Sequence, residues 1–141
     1  MRVISVLLVD DSLTFLRIVA RFLQEHNDMR VVGSSQSGQE ALVLARDLQP
    51  QVILLDLAMP ELHGLDAIPL LRAAVPEAGI LVLTLLEGQG YRSAALARGA
   101  DDLVAKASMG TDLLLAIRRV AKSGRRQLNS SKRDACLAVS A

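Results

Sequence analysis

Asp10 with Asp11, then Asp56, Thr84 and Lys106, each stand directly after a short and almost wholly apolar run. Gathered at one place, three carboxylates, a hydroxyl and an ammonium make a particular chemistry available. Packed carboxylates repel one another and raise each other's pKa unless a cation shares them. An all-oxygen set suits Mg2+, a hard ion that keeps several waters and demands octahedral geometry. With that charge neutralised, Asp56 can act as a nucleophile toward a phosphoryl group. Lys106 offers a compact point charge and Thr84 a hydroxyl to the incoming oxygens.

The apolar runs explain how such distant residues can meet. Val3 to Val9, Val52 to Leu55, Ile80 to Leu83 and Leu103 to Ala105 read as buried parallel strands, and Met29 to Ser34 as a less hydrophobic strand at the sheet edge. Residues that follow different strands of an open parallel sheet converge on one crevice at its carboxyl edge.

Helical periodicity fills the intervals. Phe15, Ile18, Val19, Phe22 and Leu23 form one apolar stripe, with Arg17, Arg21 and Glu25 opposite. Ser37-Gly38-Gln39-Glu40 is a capping-box pattern that announces a second helix with Ala41, Leu44, Ala45 and Leu48 inward. A third begins near Gly64 and ends before Pro76, with Pro69 marking a local irregularity. Gly88 and Gly90 weaken the start of the fourth by about 1 kcal/mol each relative to Ala. The last follows Thr111 and turns Leu113, Leu114, Ile117, Val120 and Ala121 inward before Ser123 and Gly124 break the pattern. Five strands alternating with five helices predict an α/β doubly wound parallel sheet.

The chain has 141 residues, 51% of them hydrophobic, enough for one domain of ordinary size with an aliphatic core, since aromatics are 2%. No apolar stretch approaches the roughly 20 residues that span a bilayer, and the N-terminus lacks a secretory signal pattern, so a cytoplasmic protein is expected. The single Cys136 has no partner for an internal disulfide. Residues 118 to 141 carry seven Lys or Arg against one Asp, a net +6, while the body before them is −5. Residues 123–141 therefore read as a basic tail or linker after a domain of residues 1–122. A basic end can attract nucleic acid, but no aromatic follows Tyr91 to stack on bases.

Asp10-Asp11, Asp56-Leu57-Ala58-Met59-Pro60, Thr84 and Lys106, together with Gly64, Gly99-Ala100-Asp101 and Val31-Val32-Gly33, resemble the receiver domain of two-component response regulators over residues 3 to about 122. The Val-Val-Gly strand and Lys106-Ala107-Ser108 are similar to the NarL-type subgroup, which usually carries a helix-turn-helix output domain. The resemblance implies a flavodoxin-like strand order of 2-1-3-4-5. It implies that Asp56 accepts phosphoryl from a sensor histidine kinase or phosphotransfer protein, and that Asp11, Asp56 and the backbone carbonyl of Ala58 bind Mg2+ directly while Asp10 acts through a water. Such a chain assists its own phosphotransfer and dephosphorylation without being a turnover enzyme. It implies a homodimer through helix 4, strand 5 and helix 5, and DNA as a partner only through an output domain outside this chain.

Other readings remain open from sequence. Asp10 and Asp11 can cap the first helix, Asp56 can be a turn residue before Pro60, Thr84 can bond backbone, and Lys106 can be solvated. His63 reads as a loop residue and His26 as helix-end surface. An aspartate-nucleophile phosphatase usually needs a second Asp two residues on, where this chain has Ala58. A receiver-like module that binds protein without phosphorylation is the remaining alternative. Leu103 stands where many receivers have Tyr or Phe, and Ala107 where a proline commonly follows the lysine. Ala58 and Leu86 flank the expected phosphoryl site without an acid, base or amide to position water, which predicts slow autodephosphorylation.

Overall fold

Five segments form parallel strands: β1 (Ile4–Val9), β2 (Met29–Ser35), β3 (Val52–Leu55), β4 (Gly79–Thr84) and β5 (Asp102–Ala105). Between them lie α1 (Leu13–Gln24), α2 (Gly38–Leu48), α3 (Gly64–Ala74) and α4 (Gln89–Ala97); after a 3-10 turn at Lys106–Ser108, residues 109–122 form α5. This is a computed structural model, and it describes residues 3–59, 62–85 and 88–122. The sheet order is β2-β1-β3-β4-β5 with every pairing parallel, as expected, and β2 at one edge. Among the described residues no helix is long and apolar enough to cross a membrane.

Alternation along the strands divides the core into two layers. Leu7, Val9, Ile53, Leu55, Ile80 and Val82 pack with Ala41 and Ala45 of α2, Ala67, Ile68 and Leu71 of α3, and Ala95 of α4. The neighbouring residues Val6, Leu8, Val52, Leu54, Leu81 and Leu83 face α1 and α5 through Leu16, Val19, Leu23, Leu113 and Ile117. Strands buried on both faces account for the continuous apolar runs.

Several local expectations need correction. Ile18 is 51% exposed and Leu48 40%; α1 instead buries Leu16, Val19 and Leu23, a narrower stripe than the apolar residues suggest. Leu48 nevertheless covers Gly33, whose absent Cβ would lie 2.9 Å from the leucine Cδ1. Val3 stays outside β1 and is exposed. Thr84 is the last residue of β4, fully buried, rather than following it. Helix α5 begins at residue 109, one turn of chain sooner than Thr111 implies. Of the capping box, Glu40 N–H donates to Ser37 Oγ at 3.2 Å, but the Ser37 N–H donates to Ser35 Oγ. Pro69 sits inside α3. Pro60, Leu86, Ser123, Gly124 and Cys136 lie outside the described residues.

Helix α4 is the least embedded. It starts after Gly88 at φ 120° with no side-chain cap, and Ala95 is its buried residue. Its far end is held by Arg72 from α3. That guanidinium donates to Gly99 O at 2.8 Å, to the carbonyls of Pro76 and Ala78, and to Asp101 Oδ2 at 2.7 Å. Asp101 Oδ2 also accepts from Ile80 N–H at 2.8 Å. One side chain thus ties α3, the approach to β4 and the α4–β5 turn. Arg72→Met, which keeps the apolar stem, is expected to lower stability by about 2–3 kcal/mol because the buried Asp101 carboxylate loses its cation. Urea denaturation measures this; a loss below about 1 kcal/mol would show that the tie is dispensable.

Candidate functional site

The crevice forms where β1, β3 and β4 end. Asp10 and Asp56 are held by the sheet itself: Asp10 N–H continues the ladder to Ser35 O at 3.0 Å, and Asp56 N–H to Val9 O at 2.9 Å. Both residues are almost completely buried, at 3% and 4% exposure, whereas Asp11 faces solvent. Ser12 caps α1, its Oγ accepting from Phe15 N–H, while its own N–H donates to Asp10 Oδ1 at 2.9 Å. Asp10 is therefore fixed by the start of α1, although Ser12, not Asp10, is the cap.

One carboxylate oxygen from each of Asp10, Asp11 and Asp56 lies within 4.8 Å of the others. Lys106 reaches in from the end of β5. Its Nζ donates to Asp10 Oδ2 at 2.6 Å and stands 3.8 Å from Asp56 Oδ2, with the lysine side chain only 10% exposed. Burial and the neighbouring Asp10 charge push the Asp56 carboxyl above the usual carboxylate range, partly opposed by Lys106, the Ala58 N–H and the Thr84 hydroxyl, which bond the carboxylate. Asp10, Asp11, Asp56, Ala58, Lys106, Ser12, Phe15 and Leu85 line a crevice of about 520 Å³. All six residues singled out from sequence thus assemble, and the solvated reading of Lys106 and the backbone reading of Thr84 give way to contacts within the crevice.

Gly64 keeps the loop after Asp56 close. Its N–H donates to Leu57 O at 3.0 Å, and a Cβ there would lie 2.4 Å from Asp56 O. Only glycine admits that approach. His63 caps α3, its Nδ1 accepting from Leu65 N–H at 3.2 Å, and His26 stacks edge-on against Phe22; neither joins the acidic cluster. Sequence reasoning missed Phe15, read there as core. Its ring lies beneath Lys106, with Nζ 3.9 Å from the centroid. Its place in the first turn after Asp10-Asp11 is the signal that could have found it.

The donor set is what a hard divalent cation requires: three converging carboxylates, two of them buried, with a nearby exposed edge at Asp11 for waters.

A parallel sheet of this order with an acidic crevice at its carboxyl edge defines a flavodoxin-like doubly wound α/β domain. Within that class, residues 6–118 match the response regulator receiver domain, and the chain belongs to that family. It is 35% identical over 127 residues to a protein-glutamate methylesterase/protein-glutamine glutaminase of Maricaulis maris, covering 82% of this chain and 32% of that protein. With the chemotaxis protein CheY of Listeria monocytogenes identity is 29% over 119 residues, covering 84% and 99%. The crystal structure of the response regulator domain of Thermotoga maritima CheB superposes with a TM-score of 0.80 at 32% identity, covering 86% of this chain and 98% of that one. A LuxR-family two-component response regulator from Aurantimonas gives 0.82 at 25% identity, covering 93% and 98%. The chain spans about a third of the methylesterases it matches and 56% of the transcriptional regulatory protein MctR from Rhizobium johnstonii. The likeness thus extends to receivers of LuxR-family regulators and of CheB alike.

Because the Asp56 carboxyl is raised, the folded state binds its proton more tightly than the unfolded chain. The charged form then costs stability at neutral pH, and that cost disappears as pH falls below the ordinary Asp range. Asp56→Asn is expected to stabilise the divalent-free protein by about 1 kcal/mol at pH 7, with the gain shrinking toward pH 3. Thermal unfolding in chelator across that range would contradict it if the gain were flat or reversed.

Proposed function

We propose that this domain accepts a phosphoryl group on Asp56 from a sensor histidine kinase or phosphotransfer protein and changes conformation to control an output. The observation that carries the reading is the pairing of a buried, basic Asp56 carboxylate with Lys106 at 3.8 Å beside two further aspartates. Mg2+ held by Asp11, Asp56 and the Ala58 carbonyl, with Asp10 through a water, would neutralise charge on the carboxylates and on the incoming phosphoryl.

An Asp56 oxygen forms the new P–O bond as the P–N bond to the donor imidazole breaks, and the imidazole leaves with the electron pair and takes up a proton. Lys106 leaves Asp10 to face a phosphoryl oxygen, a shift that matches its intermediate place between the two carboxylates. Thr84, now bonded to the carboxylate, turns its hydroxyl to the phosphoryl group and draws the end of β4 inward. Leu103 packs half-buried against the core, so the conformational relay past Thr84 is aliphatic.

The surface of α4, β5 and α5 is the readout and homodimer face. Arg92 and Arg119 both pair with Asp102 there, beside the exposed Leu115. Residues 1–122 make the domain, which works in the cytoplasm; residues 123–141 are by composition a basic tail or linker, and DNA is contacted only if an output domain lies outside this chain.

Incubation with Mg2+ and acetyl phosphate is expected to add one phosphoryl group by intact mass, absent in Asp56→Asn, with a change in solution size if the α4–β5–α5 face dimerises. Uptake undiminished in that variant would sink the assignment. Ala58 supplies no side chain to orient water, so the acyl phosphate is expected to last minutes or longer in Mg2+; loss within seconds would contradict this.

A further inference from the structure

Lys106 makes three approaches, and they differ in what a bound cation would do to them. The carboxylates of Asp10 and Asp56 lie 2.6 and 3.8 Å from Nζ, and the Phe15 ring centroid lies 3.9 Å away. A divalent ion among the aspartates would compete for both carboxylates and repel the ammonium. The ring carries no net charge, so its negative face remains available to the ammonium. Beside the ring a void of about 10 Å³ is lined by Leu8, Leu16, Leu54 and Leu83 together with Asp10 and Asp56, so the polar groups there are the same two carboxylates that the cation would claim.

We infer that Phe15 is a positioning residue: its ring holds the Lys106 ammonium inside the crevice once a divalent cation has claimed Asp10 and Asp56, ready for the phosphoryl group. The inference rests on the proposed function for its purpose, but the contact can be observed without phosphorylation. A cation over a ring is worth enough to change a rate several-fold, and a leucine of similar bulk fills the space without the attraction.

The test compares the native protein with Phe15→Tyr and Phe15→Leu, each labelled with 13C-lysine and titrated with Mg2+ alone. Ring current should shift the Lys106 ε-methylene protons upfield in native protein and Phe15→Tyr, and the shift should persist at saturating Mg2+. In Phe15→Leu the resonance should move to the solvated-lysine position when Mg2+ is added. Phosphoryl uptake from acetyl phosphate at saturating Mg2+ should fall about fivefold in Phe15→Leu and recover in Phe15→Tyr. In a Lys106→Met background Phe15→Leu should cause no further loss. Loss of the native ring-current shift on adding Mg2+, or full uptake in Phe15→Leu, overturns the inference. If the leucine variant does not fold, the native and tyrosine resonances still decide. Native protein that takes up no phosphoryl from acetyl phosphate and none from a phosphohistidine donor would defeat the proposed function, and the resonances would then judge the ring's role alone.

Discussion

Like charges forced together at the end of a dry sheet are the constraint on which this structure turns. Asp10 and Asp56 are almost wholly buried within reach of one another, and no arrangement of apolar neighbours relieves that repulsion. Relief comes from donors that the fold brings in: Ser12 N–H and the Lys106 ammonium to Asp10, and Ala58 N–H and the Thr84 hydroxyl to Asp56. Among the described residues every buried side-chain nitrogen and oxygen has a partner. Relief is nevertheless partial: burial first, and the Asp10 charge after it, keep the Asp56 carboxyl raised.

The rest of the domain supplies rigidity for that strained edge. Aliphatic side chains from alternate strand positions make two separate layers, one under α2, α3 and α4 and one under α1 and α5. Because β1, β3 and β4 contribute to both layers, their ends cannot shift independently without disturbing close-packed side chains on two sides. Gly64 adds a tight seam, its missing Cβ letting α3 press on the backbone of Asp56 and Leu57.

Strands and their terminal acids were legible because full burial on both faces leaves an unbroken apolar run, and polar residues directly after it stand out. Helix faces were less so. Ile18 and Leu48 look inward by composition, yet burial depends on how widely a helix touches its sheet, and α1 rests on its Leu16, Val19 and Leu23 edge with Phe15, Ala20 and Phe22 half-buried beside it. The reciprocal half of the α2 capping box is replaced by Ser35, at the end of the preceding strand, whose Oγ accepts from Ser37 N–H. The site's membership followed from topology, but its pairings did not. Which carboxylate Lys106 prefers is settled by differences of about an ångström between residues some fifty or a hundred positions apart, and Phe15 carries the same apolar signature whether it fills a core or supports an ammonium.

The unequal fastening of α4 has a mechanical consequence. Arg72 pins the turn that follows it, while its first residues leave a glycine at positive φ and Gly90 has no neighbour within 4 Å of a would-be Cβ. A rod clamped at one end and held near the other by one half-exposed arginine, Arg92 on Asp102, is displaced most at its lightly held end. Small shifts at the end of β4 would thus be magnified at the surface carrying Tyr91 and Arg92, while the sheet beneath stays still. Sequence drift on that outer surface can retune what the domain binds and leave the chemistry of its inner edge untouched.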